Sequence, residues 1–301
     1  MSGDGCTGDF PSTRTDKPDM VIKPDILRHG TSAARLMPYY TTKTYMQLMQ
    51  DPIYVAFATQ KGGAGKSTLT TLVASYLRYV LGKKVLALDC DPRQHSMIEY
   101  REKDKLMIRE NPTVKRRFSN FMERFGDEPY KILKCSPAEA LTLAEKETEA
   151  DNTLEYVFFD ITGTVNDRDL VTLLAGMDYL FVPITPETGD LKSSIGFAHN
   201  VNERMLFQQG SRVKGMFLLW NKVQPKDRNN LCQIINRYAA TLCIESLDTI
   251  LPMSVKFTKD GSTSGRDGIF RSTFMPPDRK LLRNSYLPEL VDEILATIAP
   301  D

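Results

Sequence analysis

Gln60-Lys61-Gly62-Gly63-Ala64-Gly65-Lys66-Ser67-Thr68 separates the apolar run Ile53 to Thr59 from the amphipathic stretch Leu69-Thr70-Thr71-Leu72-Val73-Ala74-Ser75-Tyr76-Leu77. Strand, glycine-rich loop and helix therefore follow one another in the order that builds an anion site. The glycines let the backbone curl so that successive amides point inward, and the helix N-terminus adds partial positive charge. In such a loop Lys66 reaches the β- and γ-phosphates of a nucleotide and the Ser67 hydroxyl ligates Mg²⁺. Gly62, Gly63, Ala64, Gly65 and Thr68 complete the cradle. The usual G-x-x-x-x-G-K-[ST] spacing wants glycine where this chain has Gln60, and a second lysine, Lys61, stands at the start of the loop.

Downstream, short apolar or β-branched runs alternate with helical stretches, the pattern of an α/β fold with a mostly parallel twisted sheet and helices on both faces. Strands are predicted at Ile53 to Thr59, Lys84 to Asp89, Tyr130 to Lys134, Glu155 to Asp160, Tyr179 to Pro183, Val213 to Asn221 and near Ile250. Helices are predicted at Lys66 to Leu81, Arg116 to Phe125, Pro137 to Ala150, Asp167 to Leu174, Thr188 to Gln209, Asn229 to Leu242 and Tyr286 to Ile298. Residues 1–50 read as an arm and 51–301 as one domain. The Gly-, Ser-, Thr- and Arg-rich stretch from Lys256 to Pro277 reads as a loop on the ligand-bearing side.

Two of the predicted strands end in carboxylates. Lys84 to Asp89 runs into Asp89-Cys90-Asp91-Pro92-Arg93-Gln94, and Tyr156-Val157-Phe158-Phe159 ends in Asp160. At the carboxyl ends of strands beside a phosphate loop, such groups are placed to hold Mg²⁺ through water and to orient an attacking water. In isolation Asp89 and Asp91 would simply form a turn with Pro92. A guanine-reading Asn-Lys-x-Asp would need a carboxylate where Asn221-Lys222-Val223-Gln224 carries Gln224, so ATP is favoured over GTP.

Lys-Gly-Gly-x-Gly-Lys-Ser is the deviant Walker A form, and the sequence resembles the ParA/MinD family of P-loop ATPases. The resemblance implies that Lys61 crosses a dimer interface to the partner's nucleotide while Lys66 acts in cis. It implies that Asp91 is the catalytic carboxylate, with Asp89 supporting it and Asp160 holding Mg²⁺. It further implies that Asn221 meets the adenine, together with the backbone around Pro252 in Leu251-Pro252-Met253-Ser254-Val255. Arg93 is an insertion relative to the family's Asp-x-Asp-Pro-Gln. Asp160-Ile161-Thr162-Gly163 replaces Asp-x-Pro-Pro, and with the long arm it looks most like the ParA-type proteins of conjugative transposons.

The chain has 301 residues, 26% of them charged, and a net charge of +1, so attraction to nucleic acid must come from local patches. Ser254 to Ser285 carries an excess of four positive charges, with Arg266, Arg271 and Lys280 the candidate contacts to non-specific double-stranded DNA. Lys115-Arg116-Arg117 is a second cluster. The reading is thus a cytoplasmic ATPase that dimerises with ATP, acts in DNA partition and answers to a stimulating partner protein. A MinD-like membrane-positioning ATPase would want a basic terminal helix, whereas Leu287 to Leu295 is acidic on its polar face. A metabolic ligase would not need Lys61. No apolar run reaches the roughly 20 residues of a membrane span, so no integral membrane association is expected. Cys6, Cys90, Cys135, Cys232 and Cys243 form no C-x-x-C pair and read as reduced, structural thiols.

Overall fold

The computed structural model describes residues 51–161, 168–207, 210–228, 230–260 and 268–298. The expected arm over residues 1–50 lies outside the described residues.

Among the described residues seven strands form one sheet: β1 (Ile53–Phe57), β2 (Val85–Asp89), β3 (Lys131–Lys134), β4 (Tyr156–Asp160), β5 (Tyr179–Ile184), β6 (Gly215–Trp220) and β7 (Glu245–Ser246). Their order is β3-β2-β4-β1-β5-β6-β7, and every strand pairing is parallel. The helices are α1 (Lys66–Tyr79), α2 (Ser96–Glu110), α3 (Pro112–Phe125), α4 (Ala140–Ala150), α5 (Arg168–Ala175), α6 (Thr188–Phe207), α7 (Leu231–Thr241), α8 (Arg279–Leu282) and α9 (Leu287–Thr297).

Strand side chains alternate between two apolar layers, which is why the strands read as continuous hydrophobic runs rather than alternating ones. On one face Val55, Phe57, Val85, Ala87, Phe158, Phe181 and Leu219 pack with Leu69, Leu72, Val73 and Leu77 of α1 and with Leu287, Leu290, Val291 and Ile294 of α9. On the other, Tyr54, Ala56, Leu86, Leu88, Val157, Phe159, Leu180, Val182, Leu218 and Trp220 meet buried residues of α4 through α7, including Ala140, Leu173, Phe197 and Cys232. Phe158 and Phe159 are neighbours in sequence yet anchor opposite layers, and full burial of each is worth about 1.5–3 kcal/mol.

Four features differ from the sequence expectations. Helix α2 was not predicted; over Ser96–Glu110 only Met97 and Asp104 are buried, so no apolar stripe announces it. Helix α3 begins at Pro112 rather than Arg116, because the Asn111 side chain caps it by accepting from the Thr113 and Val114 amides at 3.0 and 3.3 Å. The last strand is Glu245–Ser246 rather than a segment near Ile250, which is followed by a single bridge between Val223 and Pro252. The stretch from Lys256 to Pro277 is more than a loop over the ligand side. It opens with a 3₁₀ turn, Val255–Thr258, and Ile269 and Met275 then bury against Val114 of α3 in a third apolar cluster.

Candidate nucleotide site

Sheet register brings the motif ends together. Asp160 at the end of β4 lies opposite Phe57 on β1, which leads into the glycine loop, and opposite Asp89 on β2. Within that loop Gly63 and Gly65 have φ of +82° and +96°, a region that side-chain-bearing residues enter at a cost. A Cβ at Gly65 would lie 2.5 Å from Asn221 Nδ2, so both conformation and space require glycine there.

Lys66 folds back along the loop, its ammonium donating to the Lys61 carbonyl at 3.1 Å. Burial lowers its pKa, with the charges of Asp160 and Asp91 pulling the other way. Asp160 is 1% exposed. Burial raises its carboxyl to about 7, a Ser67 hydrogen bond draws it back, and the neighbouring Asp89 charge pushes it up again. Asp89, also raised by burial, accepts from the Ile98 amide at 3.0 Å and the Asp91 amide at 3.4 Å, with His95 Nδ1 3.5 Å from its Oδ1. Asp91 faces the cavity and accepts from the Arg93 and Gln94 amides at 2.9 and 3.2 Å. The inserted Arg93 thus contributes an amide to the turn that holds Asp91.

A cavity of about 440 Å³ is lined by Gly62, Gly63, Gly65, Lys66, Ser67, Thr68, Asp91, Asn221 and Pro252, within the range of small-molecule sites. Tyr100, Ser254 and Phe257 also line it; Ser254 belongs to the Leu251 to Val255 element, whereas no motif marks Tyr100 or Phe257. Among the described residues, no group of three or more His, Cys, Asp or Glu is arranged to hold a metal alone. Mg²⁺ in such sites takes one or two carboxylates together with phosphate oxygens. Asp160 fits that role: among the described residues its Oδ2 is buried without a hydrogen-bond partner, an arrangement costly unless something binds there.

Asn221 is 6% exposed; its Nδ2 donates to the Ala64 carbonyl at 2.8 Å and its Oδ1 accepts from the Lys222 amide at 2.9 Å. It braces the loop in this state, leaving one N–H and one lone pair for a base. Lys222, at φ +57°, donates from Nζ to the Gly63 carbonyl at 2.6 Å, a second brace that the sequence did not single out. Lys61 does not line the phosphate cavity. Its ammonium pairs with Asp190 at 3.0 Å, in the first turn of α6, and Asp190 also accepts from the Thr185 hydroxyl at 3.1 Å. No motif marks Asp190; only its position after the carboxyl end of β5 hints at it.

The three candidate DNA contacts do not form one exposed set. Arg266 and residues 162–167, which include the Thr162-Gly163 departure, lie outside the described residues. Lys280 is exposed. Arg271 is a correction: it is 9% exposed, pairs with Asp260 at 3.1 Å and sits 3.8 Å over the Tyr100 ring. It fastens α2 to the C-terminal segment and cannot meet a phosphate in this conformation. The two basic clusters, distant in sequence, are instead adjacent, since Arg117 ion-pairs with Asp278 at the start of α8. That leaves Lys115, Arg116, Arg279, Lys280 and Arg283 exposed around the junction. No helix among the described residues is long and apolar enough to cross a membrane.

The profile of the CobQ/CobB/MinD/ParA nucleotide binding domain matches residues 55–264. No curated protein matches in sequence. Among solved structures, a chain of the MinC:MinD cell division protein complex of Aquifex aeolicus superposes with a TM-score of 0.55 at 15% identity, covering 83% of this chain and 98% of that one. Apo McdA from Cyanothece gives 0.55 at 15%, with coverages of 81% and 100%. A ParA family ATPase from Chlorobium tepidum gives 0.50 at 14%, with coverages of 83% and 100%. At these identities the likeness is one of fold.

Proposed function

Because the chain belongs to the CobQ/CobB/MinD/ParA nucleotide-binding family, we propose that it is a Mg²⁺-dependent ATPase switch of the ParA type. The observation that carries this reading is the convergence of Lys66, Ser67 and Asp91 on one cavity, with Asp160 behind it bearing an unpartnered buried oxygen. Lys66 neutralises the β- and γ-phosphates, Ser67 and Asp160 hold Mg²⁺ with Asp89 supporting them, and Asp91 orients the attacking water. Mg²⁺ supplies charge neutralisation on the phosphate oxygens. Gly62 to Thr68 cradle the phosphates, and Asn221 and Pro252 border the base.

ATP completes a two-fold dimer in which each Lys61 leaves Asp190 for the partner's phosphates. Its half-exposed position outside its own phosphate cavity supports a role in trans. The dimer then binds double-stranded DNA without sequence preference through the surface around Lys115, Arg116, Arg279 and Lys280, and a partner protein ends the state by stimulating hydrolysis. The finer reading is partition of a plasmid or conjugative element. DNA retention of the purified protein with ATP, ADP and no nucleotide tests it; retention indifferent to nucleotide, or none at low salt, favours a switch acting on a protein partner alone.

A further inference from the structure

Cys90 and Cys135, far apart in sequence and read there as inert, are neighbours at the carboxyl edge of the sheet. Strands β2 and β3 run parallel with Asp89 opposite Lys134, and the ladder continues one step, the Cys135 amide donating to the Asp89 carbonyl at 3.2 Å. Both thiols consequently face the same apolar layer, with their Sγ atoms 3.5 Å apart. Cys90 is completely buried and Cys135 keeps 8% of its surface exposed. Among the described residues Cys232 and Cys243 have no such thiol neighbour.

We propose that Cys90 and Cys135 form a reversible disulfide, a redox-modification site that tethers the Asp89-to-Gln94 loop to the end of β3. The oxidant is hydrogen peroxide. The more accessible Cys135 sulfur attacks the peroxide and breaks its O–O bond, giving a sulfenic acid and one water. Cys90 sulfur then attacks Cys135 Sγ, and the sulfenic oxygen leaves as a second water with the Cys90 proton. Two thiols lose two electrons and the peroxide gains them. Transient bonds of this kind are the ones expected in a reducing compartment.

An S–S bond is about 2.05 Å long, so the sulfurs must approach by roughly 1.5 Å. The β3 side is held: Cys135 leads into Ser136, whose amide and hydroxyl donate to Glu139 at 3.1 and 2.6 Å. On the β2 side the Cys90 amide donates to the Asp160 carbonyl at 2.9 Å and Asp89 accepts from the Ile98 amide, whereas among the described residues the hydrogen bonds of Asp91 all run within its own turn, from Asp89 to His95. The displacement therefore falls on Asp91, and its consequence for turnover rests on the proposed ATPase reading.

The test uses the full chain, reduced and then exposed to a small excess of hydrogen peroxide. Peptide mapping without reductant is expected to find Cys90 linked to Cys135. Hydrogen exchange at the amides of Asp91, Arg93 and Gln94 should slow at least threefold, and ATP turnover should fall about tenfold, all three reversing with dithiothreitol. Cys135→Ser should keep its turnover and lose the response to peroxide. Thiols that survive peroxide, a link to a different cysteine, or a linked protein with unchanged exchange each overturn the proposal. If the link forms and exchange slows but neither form hydrolyses ATP, the tether stands and the ATPase reading falls; if both forms hydrolyse ATP equally, the effect on Asp91 is refuted.

Discussion

Lys61 is held 3.0 Å from Asp190 while its own carbonyl accepts from Lys66. One residue thus links the two lysines of the loop: its main chain seats Lys66 within the subunit and its side chain points away to α6. The Lys61 side chain is 50% exposed, so the pair is worth no more than about 1 kcal/mol and is easily exchanged for a phosphate.

If Lys61 acts in trans, Lys61→Ala should bind ATP within a few-fold of wild type yet remain monomeric. Asp190→Asn, which frees the lysine, should raise the ATP-dependent dimer fraction, by at most about fivefold given the weak pair. Light scattering in an Asp91→Ala background, where ATP persists, measures both. A dimer unaffected by Lys61→Ala would refute the trans role.

Lys66→Ala should abolish ATP binding measured by calorimetry, because the cavity loses its central cation. Asp91→Ala should bind ATP and fail to turn it over, since that carboxylate faces the cavity and, among the described residues, takes its hydrogen bonds from its own turn. Loss of binding in Asp91→Ala would make the residue structural.

Gly65→Ala and Gly62→Ala separate conformation from mere composition. Alanine at 65 meets Asn221 Nδ2 at 2.5 Å and adopts φ +96°, whereas a Cβ at 62 meets nothing within 4 Å. Gly65→Ala should fold with ATP affinity down at least tenfold, about 1.4 kcal/mol; Gly62→Ala should lose little. Equal affinities in the two variants would argue against the nest geometry.

Asp104, on α2, accepts from the Thr273 amide and hydroxyl at 2.6 and 2.7 Å and from the Ser272 hydroxyl at 3.2 Å, with Arg101 nearby. Burial still raises its pKa from 3.8 to about 6. The native state therefore holds this proton more tightly than the unfolded chain. Its contribution is fully present below about pH 4 and lost as pH rises through 6, a swing of up to about 3 kcal/mol. Urea unfolding of wild type and Asp104→Asn should show wild type losing ground to the variant between pH 4 and 6, with a constant gap above 7. A constant gap throughout would mean that Asp104 does not titrate there.

The parallel sheet and its phosphate loop could be read in the sequence because strands buried on both faces are continuous apolar runs and because glycine, lysine and strand-end aspartate occupy fixed places. What escaped reading depends on partners remote in the chain. Helix α2 is held by Asp104 and Arg271 rather than by an apolar stripe, and polar anchors carry no periodicity. Asp190, Lys222 and the Cys90–Cys135 pair gain meaning only when strand order sets β5, β6 and β3 beside their neighbours. Arg271 was misread for the same reason: an arginine in a basic stretch looks solvated until Asp260 and Tyr100 are found around it.

That misreading shapes the DNA test. Arg271→Glu would put two buried carboxylates together and remove a stacked guanidinium, a loss of the order of 3–5 kcal/mol, so lost DNA retention in that variant would report on folding. The informative variant reverses Lys115, Arg116, Arg279 and Lys280, all exposed around the Arg117–Asp278 pair. It should keep its melting temperature and its ATPase rate, since none of the four lines the cavity. For wild type, about three phosphates neutralised per subunit give six per dimer, and log affinity should fall with log salt at a slope near −5. The fourfold variant should lose ATP-dependent retention in a filter assay at moderate salt. Retention as tight as wild type would move the contact surface away from the α3–α8 junction.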